Sequence, residues 1–181
     1  MRLRIFGILF LLIAGSAWAA TQEGRAGSQQ QVIYLVRHAE KRVDAGVEDK
    51  DPPLTDTGDA RAQHLAYVLG DIGIDHIYTS DYRRTRQTGE PLAKKLGLNM
   101  QPYDPRALPA FAQQLQQLGG RILVVGHSNT TPQLVELLGG DGGAPIDEAS
   151  EYDRLYILIR DGDRVTTLLQ RFGSSGRRPQ D

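Results

Sequence analysis

Val32-Ile33-Tyr34-Leu35-Val36-Arg37-His38 is the stretch that decides the fold. Five consecutive apolar, β-prone residues leave no polar face, the pattern of a strand buried on both sides in a parallel sheet covered by helices. Arg37 and His38 follow at its C-terminal end. The same pattern returns at Arg121-Ile122-Leu123-Val124-Val125-Gly126-His127, a second buried strand that ends in a histidine. Between the two, residues 74–79 and a short segment over 98–101 read as further strands.

Helical stretches alternate with these strands. Thr55 can cap a helix over 56–69, whose Ala62, Leu65, Ala66 and Leu69 recur at i, i+3, i+4 and i+7 before Gly70. A polar helical segment over 81–96 stops at Gly97. Pro91 interrupts it, lacks an N–H and crowds the carbonyl of Gln87, which predicts a kink or a fresh start there. In a helix over 108–118, Phe111, Leu115 and Leu118 supply the apolar positions, while Gln113, Gln114, Gln116 and Gln117 form an exposed flank. Thr130-Thr131-Pro132 opens a fourth helix, with proline tolerated in the first turn. Residues 155–159 and 165–169 flank Asp161-Gly162-Asp163 and read as a β-hairpin. The order predicts an α/β fold, a three-layer α/β/α sandwich with a mostly parallel sheet and an antiparallel edge hairpin.

Composition narrows the classes of function. With 21 Lys+Arg against 22 Asp+Glu over 181 residues, the chain carries no basic excess for nucleic acid or an anionic membrane surface. The absence of cysteine excludes disulfides, thiolate metal sites and cysteine nucleophiles. At the N-terminus, Arg2 and Arg4 precede an apolar run over 5–14, and Ala17-Trp18-Ala19 follows. That reads as a secretory signal peptide over 1–19, cleaved after Ala19, because the run is too short for a stable membrane anchor. Residues 20–31 read as a flexible leader, 32–172 as the single domain and 173–181 as a disordered tail. A periplasmic or secreted protein is expected.

Ligand sites in open α/β sheets lie beyond the carboxyl ends of the strands. Here those ends carry Arg37-His38, Ser80 with Arg83, Arg84 and Arg86 close behind, and Gly126-His127-Ser128-Asn129. Two histidines, several arginines and the N-terminus of the helix after His127 would make a pocket for a compact dianion, and phosphate fits best. A neutral imidazole there can attack phosphorus while the cations stabilise the transferring group. His64 and His76, the side chains of Arg83 and Arg86, and the strand tyrosines Tyr34, Tyr78 and Tyr156 read as structural or surface residues.

Four segments resemble the histidine phosphatase superfamily in its phosphoglycerate mutase-like branch. Val36-Arg37-His38-Ala39-Glu40 is similar to the Arg-His-Gly/Ala-Glu motif, and Leu54-Thr55-Asp56-Thr57-Gly58 to the Leu-Thr-x-x-Gly turn. Ser80 to Thr88 is similar to Ser-x-x-x-Arg-x-x-x-Thr, and Val125-Gly126-His127-Ser128-Asn129 to the second-histidine motif. The resemblance runs over 32–159 and implies that His38 becomes transiently phosphorylated, with Arg37, Arg84 and His127 holding the phosphoryl oxygens and Ser128 beside them. It also implies a carboxylic acid that protonates the leaving group. Asp104 in Tyr103-Asp104-Pro105-Arg106 ranks first, and Glu40, Glu151 and Asp153 are alternatives.

The resulting expectation is an exported phosphatase that hydrolyses phosphate monoesters and needs no cofactor or metal. Its partner is a small phosphorylated substrate, with a phosphorylated envelope sugar such as a lipopolysaccharide phosphate as one candidate, and not a nucleic acid. A mutase is disfavoured by export and by the short interval between Thr88 and His127, which leaves little room for a cap. The phytase-like branch is disfavoured because its longer arginine-histidine motif is missing. The alternative from another class is a phosphate-dependent binding module without turnover on the same fold. Acid would silence His38 by protonating it, unless neighbouring groups hold its pKa down.

Overall fold

The structure, a computed structural model, describes residues 30–43 and 49–173. The segment read as a signal peptide, most of the expected leader and all but the first residue of the expected tail lie outside these described residues. Among the described residues, six strands and four helices follow one another as β1 (Gln31–Arg37), α1 (Asp56–Leu69), β2 (His76–Ser80), α2 (Arg83–Leu96), β3 (Met100–Tyr103), α3 (Leu108–Gln117), β4 (Arg121–Gly126), α4 (Thr130–Leu137), β5 (Arg154–Asp161) and β6 (Arg164–Arg171).

The strands form one sheet in the order β3-β2-β4-β1-β5-β6. β3, β2, β4 and β1 run parallel, while β5 and β6 add an antiparallel hairpin at one side. Alternation along the central strands feeds two cores. Ile33, Leu35, Ile122 and Val124 pack with Phe111 and Leu115 of α3 and Leu134 and Val135 of α4. Val36, Leu123 and Val125 pack on the other face with Leu65 and Leu69 of α1 and Leu92 of α2. Each fully buried aliphatic side chain of this kind contributes roughly 2 kcal/mol of transfer free energy. The expected three-layer sandwich is therefore the observed one.

Register positions the site. Arg37 pairs with Gly126 across the parallel β1–β4 ladder, so His38 and His127 leave the sheet at the same level. The His38 N–H donates to the Gly126 carbonyl at 2.9 Å, which fixes that level. β2 ends beside them, with Thr79 opposite Val125 and Ser80 one residue beyond.

Several features differ from the sequence expectation: Gln31, expected in the leader, is a buried residue of β1, β2 and β3 start at His76 and Met100 instead of 74 and 98, and α2 departs in two ways. α2 runs unbroken through Pro91. Thr88, Gly89, Leu92 and Ala93 are buried on both sides of the proline, so packing holds the helix across the lost hydrogen bond. α2 also starts at Arg83 instead of 81, because the Thr85 hydroxyl bonds back to the carbonyls of Ser80 and Tyr82 and shapes a turn ahead of the helix.

The turn before α1 is tied to the loop after His38. The Thr55 hydroxyl accepts the Gly58 N–H at 3.1 Å, and the Thr55 N–H donates to the Glu40 carbonyl at 2.9 Å. Position 58 must be glycine, because a Cβ would lie 2.3 Å from the Glu40 carbonyl oxygen. Arg61 grips the Glu40 carboxylate through Nε and Nη2 at 2.7 to 3.1 Å and donates from Nη1 to the Phe172 carbonyl at 2.8 Å. Removing one partner of a buried pair leaves the other desolvated and uncompensated. Arg61→Ala is therefore expected to destabilise the fold by about 3 kcal/mol in urea titration.

Candidate active site

Of the predicted residues, the sheet end brings His38, Arg84, His127 and Ser128 to one cleft, while the buried Arg37 is not among its lining residues. His38, Lys41, Arg84, Arg106, His127, Ser128 and Glu148 are among those lining a cleft of about 430 Å³. The two imidazoles face each other edge to face with ring centroids 5.4 Å apart.

His38 is 2% exposed, and its Nδ1 lies 2.7 Å from the Ala39 carbonyl oxygen. A carbonyl can only accept, so Nδ1 carries the proton and Nε2 keeps its lone pair. Burial pushes the His38 pKa down to about 3; the Ala39 bond, the next largest effect, opposes it, and the charges of Arg37, His127 and Arg84 add to the lowering. His127 is held down to about 4, chiefly by burial and then by Arg84, with Glu148 opposing. Its Nε2 meets Ser80 Oγ at 2.8 Å, and that hydroxyl reaches Thr85 Oγ1 at 3.2 Å. Both rings are thus oriented from outside the cleft and neutral near pH 7.

The arginines are fixed as firmly. Arg37 is 1% exposed, and its Nη atoms donate to the carbonyls of Asp147, Glu148 and Glu151 at 2.7 to 3.1 Å. Its guanidinium also stacks 4.0 Å from the Tyr152 ring centroid. Arg84 lies 4.3 Å from the Tyr82 ring centroid and 3.8 Å from Asp51. The Nε atoms of Arg37 and Arg84 are buried without a hydrogen-bond partner. α2 is tied to the His38 loop through Thr88, whose hydroxyl accepts the Ala39 N–H at 2.9 Å.

The carboxylates require a correction. Asp104 is exposed, does not line the cleft, and accepts the Arg106 N–H at 2.9 Å. The short turn at Pro105 turns the carboxylate back on its own loop and presents Pro105 and Arg106 instead. Glu40 is held by Arg61. Glu151 is paired with Arg154 and Arg171, which hold its pKa down to about 2 against the raising effect of burial. Asp153 is paired with Arg171.

The carboxylate that does line the cleft is Glu148, a residue the sequence reading missed. It bonds Ser128 Oγ and sits 3.0 Å from Arg37 Nη2 and 3.5 Å from Lys41 Nζ. Burial raises its pKa, but Ser128, Arg37 and Lys41 together outweigh that and hold it below the ordinary value. Lys41, Arg106, Tyr82 and Tyr152 were also missed. Lys41 had a signal in its place three residues after His38, whereas Glu148 lies in a loop that carries no periodicity.

Comparison with known proteins agrees with this architecture. The family description "Histidine phosphatase superfamily (branch 1)" matches residues 33–105. A Photorhabdus laumondii protein named Probable phosphoglycerate mutase GpmB is 43% identical over 131 residues, which cover 71% of this chain and 59% of the relative. An Escherichia coli protein of the same name is 29% identical over 149 residues, 76% of this chain and 61% of the relative. The chain thus spans less than two thirds of the length of either relative. Among solved structures, the protein histidine phosphatase SixA complexed with tungstate aligns with a TM-score of 0.62 at 20% identity, covering 78% of this chain and 97% of that one. A phosphoglycerate mutase from Bacillus anthracis aligns with a TM-score of 0.58 at 15% identity, covering 78% and 93%. At such identities the structures share the fold alone, and what the family match over 33–105 and the relatives show is that the chain is similar to branch 1 of the histidine phosphatase superfamily and has phosphoglycerate mutase-like homologues.

Proposed function

We propose that the protein is a metal-independent phosphatase that works through a phosphohistidine. His38 Nε2 attacks phosphorus, the N–P bond forms as the bond to the leaving group breaks, and water then cleaves N–P to release phosphate. The observation that carries this reading is the His38 ring, held by Ala39 with Nε2 as its unprotonated nitrogen, under the charges of Arg37 and Arg84, whose Nε atoms are buried without a hydrogen-bond partner. Those N–H groups and His127 would bind the phosphoryl oxygens, with Ser128 at the rim, and electrostatic stabilisation by fixed cations does the work otherwise given to a metal. Hydrolysis of p-nitrophenyl phosphate that persists in EDTA tests it. Loss of activity in EDTA overturns the metal-free mechanism. Phosphate or vanadate binding without turnover would favour a binding module.

Glu148 decides the class of leaving group. Among the described residues it is the carboxylate lining the cleft, and its neighbours favour the ionised form, so it is a poor donor of a proton to an alkoxide. Rates are expected to fall steeply with leaving-group pKa, p-nitrophenyl phosphate exceeding glycerol 1-phosphate by roughly 10²-fold or more in kcat/KM. A flat dependence would mean that a protonated acid reaches the cleft. The same property favours a second reading, cleavage of P–N bonds as in phosphohistidine, the chemistry named for SixA.

Hydrolysis is favoured over a mutase because the chain between α2 and β4 forms only β3 and α3, both built into the body of the fold. Export rests on the N-terminal 19 residues. In that compartment a phosphorylated envelope sugar is the substrate to assay beside the small esters.

The depressed pKa values of His38 and His127 set two pH dependences. The unfolded histidines take up protons near pH 6.5 while the folded ones stay neutral, so stability is full above pH 6.5 and declines as pH falls toward 4. Over the same range His38 remains a competent nucleophile. Thermal unfolding should therefore show a falling Tm below pH 6.5, while kcat/KM shows no acid limb at the ordinary histidine value.

A further inference from the structure

A second groove, of about 350 Å³, opens from the same cleft, and Ser128 and Asn129 line both. Its walls are Pro132 and Gln133 at the start of α4, Glu136 one turn on, and Pro145 and Ile146 from the loop before β5. The loop is built in place from below. The buried Arg154 donates to the carbonyls of Ala144 and Pro145 at 2.6 and 3.3 Å, and the Tyr156 hydroxyl donates to the Gly142 carbonyl at 2.9 Å. Position 142 has no room for a side chain, since a Cβ would lie 2.8 Å from the Pro132 carbonyl oxygen. The groove is therefore a fixed feature and does not depend on closure.

Charge divides the joined space. The cleft holds Lys41, Arg84 and Arg106 against Glu148, whereas Glu136 is the one ionisable side chain lining the groove among the described residues. Glu136 is exposed and has no ion-pair partner among the described residues. A phosphoryl group drawn to the cationic end leaves the rest of the substrate to run past Ser128 and Asn129 into the groove, between aliphatic walls and toward a carboxylate.

We infer that this groove is the subsite for the phosphate-bearing organic group, and that Glu136 selects groups with an amine or a neutral polar end over those with a carboxylate or a second phosphate. The inference rests on the phosphate-site reading above. Glu136 acts on recognition and takes no part in the chemistry.

Non-hydrolysable ligands of matched length test it without turnover: 3-aminopropylphosphonate, n-butylphosphonate and 4-phosphonobutyrate, titrated calorimetrically into the wild-type protein, with inorganic phosphate as reference. The amine is expected to bind roughly tenfold tighter than the carboxylate, the scale of one half-screened charge contact. Glu136→Gln should collapse that ratio toward one and Glu136→Lys should invert it, while the affinity for inorganic phosphate, which does not reach the groove, stays within about twofold of wild type. Equal affinities in the wild type, or a ratio unmoved by Glu136→Lys, overturn the subsite while leaving the phosphatase reading intact. Failure of all three ligands and of phosphate to bind overturns both.

Discussion

His38→Ala is expected to lower p-nitrophenyl phosphate turnover by roughly 10⁴-fold or more, the scale of removing a covalent nucleophile, while phosphate or vanadate still binds. The separation follows from geometry. The binding groups are anchored independently of His38: Arg37 by three loop carbonyls, Arg84 at the start of α2 against Tyr82, and His127 by Ser80. What the variant loses is the Nε2 lone pair, made available by the Nδ1 bond to Ala39 and kept unprotonated by burial and neighbouring cations. Rapid-quench labelling with a ³²P substrate should give an acid-labile phosphoprotein in the wild type and none in the variant. Residual activity above about 1% of wild type would reassign the nucleophile.

Much of this site was legible in sequence because sheet physics is local and periodic. The two apolar runs before His38 and His127 could only be buried parallel strands, and parallel pairing carries both histidines to the same edge once the register is set at Arg37 and Gly126. Thr55 as a cap is a rule of local hydrogen bonding and holds as expected. Pro91 shows where local rules lose: its helix is kept by burial on both sides, a tertiary effect. The acid failed for a related reason. Asp104 was placed by its position in the chain, but a carboxylate's direction is set by the turn it sits in, and this one folds back on Arg106. Glu148 reaches the cleft because Arg37 collects the carbonyls of 147, 148 and 151 around itself, an arrangement between residues more than a hundred positions apart.

That same collection makes Arg37→Met the second large effect, and one that joins stability to chemistry. Methionine keeps much of the aliphatic volume but removes every donor, so the carbonyls of Asp147, Glu148 and Glu151 lose their partners and the Glu148 carboxylate loses its nearest cation. A charged donor in a buried network is worth roughly 3 to 5 kcal/mol when deleted alone, and urea unfolding should show a loss of that order. The loop that carries Glu148 also walls the groove, so loosening it should weaken phosphonate binding together with turnover. Activity should fall by roughly 10³-fold or more, because a phosphoryl-binding cation and the loop it organises are lost at once. Arg37→Lys separates the two contributions. An ammonium restores a positive charge but cannot span three carbonyls in the fixed fork of a guanidinium, so it should regain part of the stability and little of the turnover. Full recovery of activity by lysine would mean that Arg37 acts as a charge alone and that its grip on the loop is incidental to the site.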